Sequence, residues 1–553
     1  MGTKVLFLTL HAAREIMEGF DTIIVGAGSA GCVLANRLSA DPAHRVLLIE
    51  DGGDNQHPFI SMAGGFVKIM GRPQYFRAFP VAEEAGRRKE MHSYGRGLGG
   101  SSAINGTWYL RGEPEDYDGW AAQGLVGWGW DDIARCFRTI ENYRAPGADP
   151  ARGSEGEVQI TPSTYASPIF DALVEAFAGE GMPFATDVTA PGSHVGRSQY
   201  TVSRGGQRVS AHDAFVKPIR NRKNLTIVHP AIVKRIAIRH GRAIGVVCDR
   251  EGSETTFTAA CEVIVAAGVY GSPALLQRSG IGDGGLLQAL GIAVVRESGA
   301  VGRNLCDHHK LGVSFDLANH PGTNREFVGW RLYRNALRYF LTRSGPLARV
   351  GLPITGMIAS SGQAWPDFQV AAAPFAMRTI NEMAASPGSP ITAKPGLTFS
   401  GYHLRPRSRG SVAITTADFR TAPRVAGQIW SDPYDRDKAL ELFRLFRRLA
   451  AAPSLAGYIG AERMPGADVI DDDALCEMVH KMVEYGLHGT GTCTMGVDPA
   501  TSVVDARCRV HGIAALRVVD GSILPTPVSG NTNGPIMAVA QRASELILAD
   551  RHR

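Results

Sequence analysis

Apolar and polar positions change period several times along the chain, and each change predicts an element. Thr22 to Val25 is a short β-branched run, the pattern of a buried strand. Apolar Val33, Leu34 and Leu38 follow at helical spacing, and Arg45 to Ile49 reads as a second strand ending in Glu50. Strand, helix and strand within about 30 residues make one βαβ unit. Strand-like runs return between Asn224 and Gly268 in "NLTIVHPAIVKRIAI", "AIGVVCDR" and "EVIVAAG". Far downstream, Ile536, Val539, Ala540, Ala543 and Leu546 recur with helical period behind Pro535, which predicts a helix starting just past Asn533. The stretch from Ala318 to Ile470 is richer in proline, aromatics and mixed elements, and no internal repeat is visible.

Glycine clusters interrupt this pattern at three places. Gly26, Gly28 and Gly31 stand in GxGxxG spacing between the first strand and its helix. Gly26 suits a tight turn, Gly28 lets backbone approach a pyrophosphate at the helix N-terminus, and Gly31 lets helix and strand pack closely. Glu50, at the end of the second strand, is placed to accept hydrogen bonds from a ribose. The context predicts a bound dinucleotide without separating FAD from NAD. The second cluster, "GRGLGGSSAINGTWYLRG", runs from Gly95 to Gly112. Its exposed N–H groups and small side chains suit a phosphate or a flat ring system. The third, "YGLHGTGTCTMG", is too punctuated for a helix or strand and holds one histidine, His488. Such a loop either caps a surface or returns to a site built elsewhere.

Composition narrows the class. The 553 residues, 44% apolar and 20% charged, are ordinary for a globular protein of roughly two to four domains. A net charge of +5 without a long basic run gives no nucleic-acid surface. The eight cysteines form no CxxC pair, and no zinc spacing or HExxH run occurs, so free thiols and no metal are expected. Val5 to Leu10 is apolar but too short for a secretory core and far short of a membrane span. Residues 1–18 read as a leader or start extension, and a cytoplasmic location is expected.

The second cluster resembles the first signature of the glucose–methanol–choline (GMC) oxidoreductase family. "GVYGSPALLQRSGIG" from Gly268 resembles the second signature, with Val269 a mild departure. "VGRNLCDHH" from Val301 is similar to a further family run, with Cys306 where glutamine is common, and "LRVVDGSILPTPVSGNTNGPIMAVAQRA" from Leu516 also looks like the family. The resemblance covers the chain from residue 21 onward, in outline only over 311–480, and leans to the bacterial alcohol, choline and sorbose dehydrogenase branch.

It implies an α/β fold: a discontinuous Rossmann-like FAD-binding domain and an α+β substrate-binding domain with a mixed or antiparallel sheet. The FAD domain is expected over 19–160, 206–310 and 485–553, and the substrate domain over 161–205 and 311–484. It implies FAD rather than NAD. Gly26, Gly28, Ser29, Ala30, Gly31 and Glu50 would bind its ADP half. Arg96, Gly100, Ser101, Asn105, Asp520 and Gly521 would line flavin, ribityl chain and pyrophosphate, with Asn531 and Thr532 also in contact and Val233 against the adenine. Some family flavins are attached through a histidine just before the asparagine of the first signature. Ile104 stands there, so a non-covalent flavin is expected.

By the same resemblance His488 matches the family's catalytic histidine, and Asn533 best matches its partner, with Asn531 the rival. The implied activity is oxidation of a primary alcohol (aryl, furan or small polar) to the aldehyde. His488 would take the hydroxyl proton and flavin N5 the hydride, with oxygen or another acceptor removing the electrons. His308 and His309 would cap or orient the flavin loop. A choline substrate asks for a carboxylate and an aromatic cage, with Trp330, Tyr333, Tyr339, Phe340 and Trp430 as cage candidates. Alternatives are a sorbose-like polyol dehydrogenase and, in another class, a cyanohydrin lyase or a light-driven fatty acid decarboxylase.

Overall fold

A computed structural model describes residues 19–551, apart from 85, 88, 349–350 and 378–390. The expected leader, 1–18, lies outside the described residues. The first β-branched run forms the strand Phe20–Val25, followed by the helix Ser29–Leu38 and the strand Val46–Ile49. Phe20–Val25 lies parallel between Val46–Ile49 and the end of a long strand, Ser253–Val265. Leu225–Val228 extends the sheet beyond Val46–Ile49, again parallel, and Leu516–Val518 adds a parallel strand beside Val263 to Val265. Ser253–Val265 also carries an antiparallel ribbon on its first half, formed by Arg242–Arg250 and Ile232–Arg239. The parallel strands are apolar on both faces, and Ile23, Ile24, Leu47 and Leu48 are wholly inaccessible, as strands covered by helices on both sides must be. One cover is the C-terminal helix Asn533–Arg551, tied to the first helix by Arg37 Nε donating to Gln541 Oε1 at 2.6 Å.

A second, eight-stranded sheet is built from later segments. Its order is Ile459–Met464, His309–Leu317, Gly396–His403, Phe368–Ala373, Ile354–Ile358, His194–Arg197 and Phe184–Ala185, with Glu484–Tyr485 paired to the start of His309–Leu317. All neighbours are antiparallel except the last pair. The helix Pro433–Ala450 covers one face, with Phe446 stacked on Phe399 at 6.2 Å between centroids. Its start is written locally: Pro433 is at the first turn and Asp432 accepts from the Tyr434 N–H. The fold is therefore α/β, with a Rossmann-like parallel sheet and a mainly antiparallel second sheet. Among the described residues no helix is long and apolar enough to cross a membrane.

Candidate active site

A cavity of about 700 Å³ opens at the C-terminal ends of the parallel strands, where this fold binds dinucleotides. Three helices begin at its wall: Ser29–Leu38, Gly268–Arg278 and Asn533–Arg551. Their N-terminal dipoles make the wall favourable to anions. The glycines behave as their spacing demands. Gly26 holds φ +103°, and a Cβ there would lie 2.4 Å from the Ala266 carbonyl oxygen. A Cβ on Gly31 would lie 1.9 Å from the Gly26 oxygen, whereas one on Gly28 would meet nothing and point into open space. Glu50 lines the cavity but has structural work of its own. Its carboxylate accepts from the Ala27, Gly52 and Gly97 N–H groups, each at 2.9 Å. Burial raises its pKa against these bonds. Asp520 accepts from the Gly268 N–H at 2.8 Å and so fixes the start of the second helix.

At the other wall a directional chain of hydrogen bonds runs through His488. The Tyr402 hydroxyl donates to Gln369 Oε1 at 2.5 Å, and Gln369 Nε2 donates to Asn531 Oδ1 at 3.3 Å. Asn531 Nδ2 lies 2.9 Å from His488 Nε2, His488 Nδ1 lies 3.0 Å from His308 Nδ1, and His308 Nε2 lies 3.1 Å from the Leu404 carbonyl oxygen. The carbonyl only accepts, so His308 carries its proton on Nε2 and presents a bare Nδ1. His488 then donates from Nδ1, which leaves the lone pair of Nε2 facing the Asn531 amide. His308 is wholly buried and stacked on Tyr402 at 4.5 Å. Asp307 accepts from the His488 backbone N–H at 2.9 Å, and burial pushes its carboxyl up to about 7. His488 is held neutral: burial first, and then the positive charge of Lys310, lower it to about 3.

The chain singles out Asn531 rather than Asn533 as the neighbour of His488. Asn533 is the first residue of the C-terminal helix, and its Oδ1 accepts from Ser29 Oγ at 2.7 Å, which ties it to the first glycine turn. Gly530, at φ +113°, turns the chain just before Asn531. His308 likewise does more than orient a loop, since it touches the ring of His488.

Two family models described as GMC oxidoreductase match residues 20–310 and 406–540. This chain belongs to the GMC oxidoreductase family. Like its family, this GMC oxidoreductase is an FAD-dependent enzyme acting on CH–OH donors. It is 36% identical to an oxygen-dependent choline dehydrogenase of Photobacterium profundum, over 96% of this chain and 93% of that protein. The crystal structure of pyridoxine 4-oxidase from Mesorbium loti superposes with a TM-score of 0.85 at 28% identity, covering 97% of this chain and 100% of that one. A formate oxidase of Aspergillus oryzae RIB40, studied for FAD modification, gives a TM-score of 0.88 at 24% identity, covering 98% and 100%. That likeness shows the fold.

The residues present fit FAD. Gly28, Ser29, Ala30, Glu50, Arg96, Gly100, Ser101, Asn105, Val233, Asp520, Gly521, Asn531, Thr532 and Asn533 all line the cavity, as do Gly26 and His488. Gly31 does not; it serves the packing beneath. Trp108 Nε1 and Arg96 Nε belong to lining residues and have no hydrogen-bond partner among the described residues, as befits a wall that meets a polar cofactor. Ile104 lines the cavity, while His92 does not and instead lies 2.6 Å from the Tyr270 hydroxyl.

None of the five aromatics considered for a cage lines the cavity. Trp330, Tyr333 and Phe340 are exposed on the helix Gly329–Thr342, Tyr339 is buried beneath it, and Trp430 stacks on His480. Sequence reasoning named His308 only as a residue that orients a loop, and it missed Gln369, Tyr402 and Lys310 at this wall. The doubled histidine after Asp307 was a signal for His308. The others become neighbours only through strand pairing.

Proposed function

We propose that the enzyme oxidises a primary alcohol to the aldehyde, with His488 as the base and Asn531 as its partner. The observation that carries this reading is the bare Nε2 of His488 beside the Asn531 N–H. An alcohol brought to this pair donates its proton to Nε2 while the amide donates to the alkoxide as it forms. FAD supplies the hydride acceptor when bound. His308 keeps the other nitrogen of His488 protonated, so proton abstraction is confined to Nε2. The imidazolium formed there still donates from Nδ1 to His308. Asn533 holds the start of the C-terminal helix to Ser29, which keeps the helix N-terminus at the cavity wall. The flavin is held without a covalent bond, because Ile104 occupies the position that would supply a histidine link. Oxygen or another acceptor then takes the electrons.

The test is anaerobic bleaching of the bound flavin, near roughly 450 nm, by benzyl and furfuryl alcohols, choline, sorbose and pyridoxine. Bleaching by at least one alcohol is the expected result, and admission of air then distinguishes oxidase from dehydrogenase. A flavin that no alcohol reduces, but that stays bound while a cyanohydrin is cleaved, would turn the reading to the lyase. Acid precipitation should leave the yellow colour in the supernatant; colour retained in the pellet contradicts the non-covalent assignment. A choline substrate is the second reading, favoured by the 36% identity to a protein of that name.

A further inference from the structure

The second sheet presents one rung of side chains to the His488 wall. Met357 stands opposite Gln369, Gln369 opposite Tyr402, Tyr402 opposite Lys310, and Lys310 opposite Glu484. Residues directly opposite in antiparallel strands share a face, with Cβ atoms about 5 Å apart. The Tyr402 ring lies 5.4 Å from the His488 ring, so the face carrying Tyr402 and Lys310 is the one that meets the base. Gln369 and Tyr402 are buried in the hydrogen-bond chain. Lys310 is exposed and lines the cavity.

The other charges of the cavity are engaged or distant. Arg77 and Arg96 pair with Asp51 at 2.7 and 2.9 Å. Asp520 and Glu50 are taken by backbone N–H groups. Arg278 donates to the Thr421 carbonyl oxygen at 2.6 Å, at the far end of an 11-residue helix whose start touches Asp520. Such a helix is about 16 Å long. Glu484 has an interaction of its own. Among the described residues Lys310 forms no ion pair with a carboxylate, and its positive charge adds to burial in lowering the pKa of His488.

We propose that Lys310 is the specificity determinant of the alcohol site and that the substrate is a primary alcohol carrying an anionic group such as a carboxylate. This rests on the reading of His488 as base. The anion would bind the ammonium of Lys310 while the hydroxyl lies at His488 Nε2. It would act twice, because Lys310 opposes the imidazolium that forms when His488 accepts the proton. An anion seated on Lys310 offsets that opposition and raises the basicity of His488. A quaternary ammonium in the same place meets a like charge and is disfavoured.

The experiment compares 4-(hydroxymethyl)benzoate, its neutral isostere 4-(hydroxymethyl)benzamide, benzyl alcohol and choline on the holoenzyme and on Lys310→Met and Lys310→Glu. The wild type should prefer the carboxylate to the amide by about tenfold or more in kcat/KM, the scale of one partly screened charge pair. Lys310→Met should remove the preference, and Lys310→Glu should reverse it and improve choline. Binding of benzoate, followed by its perturbation of the flavin spectrum, should weaken about tenfold in Lys310→Met. Equal kcat/KM for the isosteric pair with Lys310→Met unchanged, or choline as the best wild-type substrate, overturns the proposal. Lys310-dependent benzoate binding with no alcohol oxidised would sink the alcohol reading and leave an anion site. Oxidation indifferent to Lys310 would do the reverse.

Discussion

His488 owes its tautomer to a carbonyl two hydrogen bonds away. The Leu404 oxygen fixes the proton of His308, and His308 fixes that of His488. His308→Leu removes that constraint while leaving the cavity lining intact. The expected result is a flavin content like the wild type and a kcat/KM lower by about 10- to 100-fold, the usual cost of losing a group that orients another. Unchanged kcat/KM would mean that the tautomer is set elsewhere. The depressed pKa of His488 gives a second prediction. A base works unprotonated, so activity is lost only as pH falls through its pKa, which burial and Lys310 hold near about 3. The limb for benzyl alcohol oxidation assigned to His488 should therefore lie well below the ordinary histidine value of about 6.5. It should move upward in Lys310→Met. At this scale the resemblance to the family, and not the glycine setting by itself, picked out His488, and two residues of ambiguity remained at its partner. Asn531 and Asn533 differ only in which side of a helix start each occupies, and the hydrogen bond from Ser29 to Asn533 joins positions 504 apart.

Elements carry the cofactor site through close backbone approach. The first helix can start beside its strand only because Gly31 lacks a side chain, with the Gly26 carbonyl where a Cβ would be. Gly31→Ala sets a methyl against main chain, which cannot swing aside. The variant should purify with little or no flavin, read as the absorbance ratio at 280 nm to roughly 450 nm; full loading would show that helix and turn relax without cost. Strand, glycine turn, helix and second strand were legible because local spacing alone specifies them. So was the C-terminal helix, from Pro535 and its periodic apolar face. The rung from Met357 to Glu484 was not, because its members come from five strands spread over more than a hundred positions. Alternation within one strand says which residues share a face, but not which strand will lie alongside.

Across the whole molecule the cavity joins segments from Val25 to Ile536. A flavin held there would meet residues early, midway and late in the chain, and binding it should stabilise the fold as a unit. Free FAD at about a hundredfold over its Kd should add about 2.7 kcal/mol, seen as a Tm of the apoprotein that climbs with FAD concentration. A Tm indifferent to FAD would mean that the walls are organised without it. The Rossmann-like half was readable because dinucleotide binding imposes one glycine pattern. The second sheet was readable only in outline, since no motif accompanies the choice of alcohol and its specificity lies in side chains such as Lys310 that look ordinary in the sequence.

The most direct measurement is rapid anaerobic mixing of the holoenzyme with whichever alcohol bleaches it, comparing His488→Ala, Asn531→Ala and Asn533→Ala with the wild type. Loss of a general base and of a preorganised donor predicts that flavin reduction slows by about a hundredfold or more in His488→Ala and by a comparable factor in Asn531→Ala. Asn533→Ala should show its defect mainly in flavin affinity. Reduction in His488→Ala at the wild-type rate, or a larger rate loss in Asn533→Ala than in Asn531→Ala, would contradict the assignment.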